Sequence, residues 1–296
     1  LAAIEFAAVG AVYRATHPQF EASATFNVLI KMPGVIAECV LLALALTWGR
    51  RRWGAATAET LAMGLWLNPA LWLAGSVLGY RDAEASAPAL IAMLAAFGDV
   101  ALASGVLCAV AILTKPQGVV FVSGVGARLW QRRTSAVVGA VTAIAVLALL
   151  WLPFLARTPL TDIRASFSTN FIGMASAQAA NVWWLVSWWM EGAGTAHVGI
   201  LTTGDLAEMG LPGMRALGYI LAISAMGWGL SRGRRVSTIA TGALLCAWMI
   251  HAYFTLSIEV HENHLVAAIP FLVLAASLRR EVRALTATLS LVVTAN

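Results

Sequence analysis

Apolar residues along this chain come in blocks rather than in alternation. Stretches 35–48, 61–78, 137–155, 220–230 and 237–257 are close to continuously hydrophobic, and several reach bilayer-spanning length once Ser, Thr and Gly are admitted. A helical span needs about 20 mostly apolar residues. The two-residue alternation of a membrane β-barrel is absent. The pattern predicts an all-α, polytopic transmembrane bundle of about nine to eleven membrane helices.

Short basic clusters separate the blocks: "GRRRW" at 49–53, "RLWQRR" at 128–133, "SRGRR" at 231–235 and "LRREVR" at 278–283. Arg and Lys in short loops mark the cytoplasmic side, so all four clusters are expected to face one way. That fixes the parity of crossings between them. An inward helix covers 27–48 and an outward one 55–78. Residues 85–130 must then cross an odd number of times. A single span would strand Asp99 in the membrane, which is costly. Three short helices, about 86–98, 100–114 and 117–130, resolve this, with Asp99 as N-cap of the second. At 1.5 Å per residue each is about 20–24 Å long, so their outer ends are expected to lie under an outward-facing cavity. Single spans follow at 135–155, 213–230, 237–257 and 264–278. Segment 1–15 is either a span or a surface helix. The expected organisation is a transmembrane core (1–156), an extracytoplasmic loop with an interfacial Trp-rich helix (157–212) and C-terminal transmembrane helices (213–296).

Composition sharpens this picture. The chain is 60% hydrophobic and 11% charged, whereas a soluble domain is about 45–50% apolar and about a quarter charged. The net charge of +5 is accounted for by the topogenic clusters, so no nucleic-acid partner is expected. Cys39, Cys108 and Cys246 fall in separate apolar blocks and read as buried hydrophobes. No metal and no cofactor is assigned.

Three polar constellations interrupt the apolar runs. "LNPALWLAGSVLGYRDAE" (67–84) places Asn68-Pro69 inside a span, where proline marks a kink. It ends in Arg81-Asp82, read either as an ordinary charged loop or as a guanidinium and a carboxylate at a cavity rim. "ILTKPQGVV" (112–120) places Lys115 and Gln117 at an outward turn. Lys115 is either a snorkelling side chain or a cation held for phosphate. "TLSIEVHENHLVAAIPFLVLAA" (255–276) gathers Glu259, His261, Glu262 and His264. The histidines lack the i, i+4 spacing of a metallopeptidase helix. A polar loop and a two-ligand metal site are alternatives to the substrate-binding role taken here, in which imidazoles donate to an anionic leaving group. Carboxylates and cations at headgroup depth suit a lipid-linked phosphate substrate, with a carboxylate as general base and cations stabilising the departing phosphate.

These motifs resemble the GT-C superfamily of integral-membrane glycosyltransferases, in particular bacterial relatives that use polyprenyl-phosphate mannose or glucose. "FNVLIKMPGVIAECVLLAL", with Lys31, looks like that family's helix after its first external loop. "LNPALWLAGSVLGYRDA" is similar to its Asn-Pro helix, with Tyr80 in place of the usual Gln. "AILTKPQGVVFV" looks like its Lys-Pro-Gln turn, "ASAQAANVWWLVSWW" its external-loop stretch and "SIEVHENHLVAAIPFLVLA" its late His-Glu motif. The resemblance implies hexosyl transfer from a polyprenyl-phosphate sugar to a glycan, lipid or protein acceptor, in a bacterial inner membrane, on the extracytoplasmic face. It implies Asp82 and Glu262 as catalytic residues. Lys115, Gln117, His261, His264, Arg81 and Lys31 are then the substrate contacts, with membrane lipid and the lipid-linked donor as partners. The family's usual base, an Asp in the first external loop, falls before Leu1, so the chain is expected to be an N-terminally truncated fragment. A secondary transporter or flippase for an anionic lipid or solute is the alternative.

Overall fold

The structure is a computed structural model that describes residues 2–19, 23–159, 161–162, 175–176, 179–191, 201–233 and 235–295. Among them the regular elements are helical and no strand is present. Helix α1 (Ala2–Thr16) leads to α2 (Ala24–Leu44), whose N-cap Ser23 accepts from Phe26 N at 3.2 Å. That cap satisfies one of the four donors every helix start leaves open. A wide turn (Ala45–Gly49) and Arg50–Trp53 extend α2 to 30 residues. The chain then reverses into α3 (Ala55–Trp66).

Among the described residues three helices are long and apolar enough to cross a membrane: the 24–53 stretch, α8 (Arg133–Leu155) and α12 (Ile239–Leu256). They are packed very differently. Gly139 is the one buried residue of α8, while Val137, Val141, Ile144, Leu149 and Leu152 are each about two-thirds exposed. A helix hydrophobic all round is stable only in protein or in lipid, and most of the α8 surface is left uncovered by the described residues. Its anchor is a close crossing with α6 (Ala101–Thr114). A Cβ on Gly105 would lie 2.4 Å from the Gly139 carbonyl oxygen. Small residues permit such backbone approach between membrane helices.

The interior is built from α5 (Asp82–Phe97), α12 and α13 (Ile269–Leu278). Residues Ile269 to Ala276 are all buried. Helix α5 is rich in alanine and buried on every side, and Ser104 Oγ on α6 donates to its Ala92 carbonyl at 2.9 Å. Helix α7 (Gly118–Leu129) returns from α6 and packs on α5 and α12. The remaining elements are α9 (Val182–Glu191), α10 (Thr203–Glu208), α11 (Met214–Gly233) and α14 (Arg283–Ala295).

The expected trio of short helices is present as α5, α6 and α7, with bounds within a few residues of the pattern. Asp99 differs from expectation. Val100 is the N-cap of α6 and no side chain caps it. Asp99 instead takes a left-handed backbone (φ 58°) and pairs with Arg132 at 2.8 Å. Aspartate tolerates that conformation better than most residues, and its carboxylate turns outward to the basic α7–α8 connection.

The 55–78 run is also not one continuous helix. It stops at Leu67, restarts as α4 (Pro69–Leu71) and continues as a π-helical turn (Trp72–Val77). Proline removes a backbone donor. Asn68 compensates: its Oδ1 accepts from Ala70 N at 3.1 Å, and its Nδ2 donates to Ser290 Oγ on α14 at 2.8 Å.

Candidate functional site

Three separate segments deliver one polar cluster. Asp82 opens α5, where the positive end of the helix favours a carboxylate. It arrives there through Gly79, whose φ of 76° turns the chain out of the wide helical turn. Lys115 closes α6. The following Pro116 disfavours helical backbone for the residue before it, and Lys115 is extended (φ −148°, ψ 128°). Its ammonium reaches back to both oxygens of Asp82 at 2.7 Å each. Asn263 comes from the seven-residue 3₁₀ helix Glu262–Ala268 that precedes α13, and its Nδ2 donates to Asp82 Oδ2 at 2.8 Å. Asp82 is fully buried, and the Lys115 side chain is 16% exposed.

The pair is formally neutral, and its ammonium and carboxylate are mutually engaged. Unused hydrogen-bonding capacity lies beside it. Asn263 Oδ1, His264 Nδ1 and Gln117 Oε1 are buried without a partner among the described residues. The amide orientation of Asn263 follows from chemistry, because only its NH₂ can donate to a carboxylate. His264 is buried; its ring lies 5.8 Å from that of Tyr253 on α12 and 5.7 Å from that of half-buried His261.

Arg81 and Lys31 do not join this cluster. Arg81 binds Glu84 (2.9 and 2.5 Å) and Glu5 on α1, and its guanidinium lies over the Phe6 ring at 4.7 Å. It fastens α1 to the start of α5. Lys31 donates to the Val77 carbonyl at 2.5 Å, ending the wide turn before Gly79. Glu262 has a helical backbone, and its side chain lies outside the described residues.

Sequence reasoning passed over Asn263, because the 261–264 stretch was read for its acids and imidazoles alone. The pattern singles out Glu259 but not the burial of its carboxylate. Glu259 takes φ 62° and is 4% exposed in its side chain. Its Oε2 accepts from Tyr219 on α11 at 2.9 Å and pairs with Arg215 at 3.1 Å, while Oε1 is buried without a partner among the described residues. A left-handed glutamate is uncommon, and only the scarcity of charge in this chain hinted at it. This network ties α11 to the turn that carries His261 and Asn263.

The Trp-rich stretch packs on the same turn. Asn181 Oδ1 caps α9 by accepting from Trp183 N and Trp184 N at 3.0 Å, and its Nδ2 donates to the Phe254 carbonyl at 3.2 Å. Trp183 Nε1 donates to the Leu256 carbonyl at 2.7 Å. Two side chains of the long loop thus satisfy carbonyls that the end of α12 leaves open. Among the described residues no three His, Cys, Asp or Glu side chains converge as a metal site would need.

No protein-family model matches the chain, and no curated protein sequence matches it.

Proposed function

We propose that this all-helical membrane protein is a glycosyltransferase of GT-C type, moving a hexose from a polyprenyl-phosphate sugar to an acceptor on the extracytoplasmic face of a bacterial inner membrane. The observation that supports it most is the convergence of Asp82, Lys115 and Asn263. Lys115 and Asn263, 33 and 181 residues from Asp82 in sequence, meet it in one buried cluster at the ends of the short helices α5 and α6. In a chain with so few charges, structure alone does not require this meeting: a buried ion pair often stabilises no more than a packed apolar set.

In this reading an acceptor hydroxyl attacks the anomeric carbon, the carbon–oxygen bond to phosphate breaks, and polyprenyl phosphate leaves. The acceptor proton goes to a carboxylate. Asp82 already holds Lys115 and Asn263 through both oxygens, so it acts as a positioning residue, and proton removal falls to Glu262. His261 and His264, at the start of the 3₁₀ helix that carries Asn263, are assigned to substrate contact. Arg81 and Lys31 fix the elements around the site and carry no substrate role.

The test is lipid-linked sugar turnover in membranes carrying Lys115→Ala or His261→Ala. Both are expected to lose most of their activity. Unchanged turnover in both overturns the site.

A secondary transporter or flippase is the second reading, and Glu38 is the observation in its favour. This carboxylate lies midway along the 30-residue apolar stretch. Ser76 Oγ donates to its Oε2 at 3.4 Å, and Oε1 has no partner among the described residues. Ionisable residues at such depth commonly serve transport. Solute or lipid flux in proteoliposomes, abolished by Glu38→Gln and indifferent to Lys115→Ala, would select it.

A further inference from the structure

We infer that the Asp82–Lys115–Asn263 cluster seats the uncharged polyhydroxyl head of an acceptor amphiphile, whose single hydrocarbon chain lies in the groove between α12, α13 and α14. The inference rests on the glycosyltransferase reading of this site and names its acceptor class.

The head is argued from what the cluster leaves unused. Lys115 spends its charge on Asp82 at 2.7 Å to each oxygen, so the cluster offers no net positive field. A phosphate brings acceptors only and meets the buried carboxylate as a like charge. The atoms left open are acceptor-rich. Asn263 Oδ1 cannot donate, and His264 Nδ1 either accepts or donates according to tautomer. Buried acceptors without partners are costly, and hydroxyl donors satisfy them. A sugar or other polyol supplies several hydroxyls on one rigid ring and carries no charge.

The chain is argued from what adjoins the head. A cavity of about 390 Å³ is lined by Leu244, Trp248, His251, Leu265, Ile269 and Leu289 among others. It falls within the size range of small-molecule sites, about 300–1,000 Å³. Apart from the His251 imidazole these side chains are apolar. Trp248 and Leu285, both on its wall, are substantially exposed, so the groove is open along the side they form. One 3₁₀ helix borders both compartments: Asn263 and His264 stand at its start, and Leu265 and Ala268 face the groove. The groove wall begins at Leu265, two residues along the chain from Asn263. The occupant consistent with both ends is a polyol carrying one alkyl or isoprenoid chain.

The experiment uses the full chain in lipid nanodiscs and two photoactivatable probes, dodecyl glucoside and dodecyl phosphate, each with a diazirine at the chain terminus. Cross-linked peptides are mapped by mass spectrometry. The glucoside is expected to label the α12 and α14 peptides that bear Leu244 and Leu289 at least about tenfold more than the phosphate. Excess unlabelled glucoside should compete the signal away. Asn263→Ala should weaken labelling by about tenfold, the worth of one or two hydrogen bonds, and Ala268→Phe should block it by filling the groove. Equal or stronger labelling by the phosphate overturns the inference, as does an absence of groove labelling by either probe. The comparison of the two probes on the unaltered protein decides the matter even where a variant fails to fold. Labelling needs no turnover. A labelled groove without sugar transfer keeps the acceptor site and removes the transferase, and transfer without labelling does the reverse.

Discussion

Replacing Lys115 by Met tests the central ion pair most sharply. The ammonium is 2.7 Å from both carboxylate oxygens, and Asp82 is 0% exposed against 16% for Lys115. Removing one member of a buried pair typically costs about 3–5 kcal/mol, because the other charge stays buried. Asn263 and the start of α5 still stabilise Asp82, which places Lys115→Met near the low end, at about 3 kcal/mol. Asp82→Asn leaves Lys115, which can turn its ammonium toward solvent, and is expected to cost about 1–2 kcal/mol. The double variant removes both charges and should cost little more than Asp82→Asn alone. The cycle then gives a coupling of about 2–3 kcal/mol, far above the scatter for independent sites. The assay is equilibrium unfolding in mixed micelles, followed by tryptophan fluorescence on all four proteins. Additive single effects, with coupling under about 0.5 kcal/mol, would refute the buried pair.

Three further outcomes follow from particular contacts. Asn68→Ala removes both an N-cap and the bond to Ser290; it should destabilise the protein by about 1–3 kcal/mol, read in the same unfolding assay, with Asn68→Asp recovering the cap alone. Gly105→Val should displace α8 from α6, since even a Cβ would sit 2.4 Å from the Gly139 oxygen; disulfide formation between Cys residues placed on the two helices should fall, and an unchanged rate would contradict the close crossing. Asp205 caps α10 with Thr202, whose backbone N–H donates to it at 2.6 Å. That bond and the Thr202 hydroxyl hold the Asp205 carboxyl below its usual range. A depressed carboxyl contributes stability above its unfolded value and loses it as pH falls through the folded one. Amide exchange across residues 203–208 should therefore quicken only below the ordinary aspartate range, and Asp205→Asn should abolish that acid response.

Much of the architecture was legible because bilayer-length apolar blocks and arginine clusters are strong, redundant signals. Parity counting between the basic clusters, with the position of Asp99, recovered the α5–α6–α7 trio, even though Asp99 itself proved to pair with Arg132 instead of capping α6. Backbone detail was less legible. Nothing in the 72–77 composition announces a π-helical turn, which depends on how Asn68-Pro69 restarts the helix. The meeting of Asp82 with Lys115 followed from placing both at outward turns. Asn263 and the left-handed Glu259 were not legible in the same way, because their roles depend on tertiary partners, Asp82 in one case and Arg215 with Tyr219 in the other. Arg81 and Lys31 each have a nearer partner, Glu84 and the Val77 carbonyl, that sequence spacing does not reveal.

The most direct measurement supplies membranes containing the full chain with a radiolabelled polyprenyl-phosphate hexose and follows the label into extractable lipid. The account predicts transfer by the unaltered protein and a loss of about tenfold or more in Asn263→Ala, since each 1.4 kcal/mol of lost transition-state binding is about a factor of ten in rate. No transfer by the unaltered protein, or full transfer by Asn263→Ala, would contradict it.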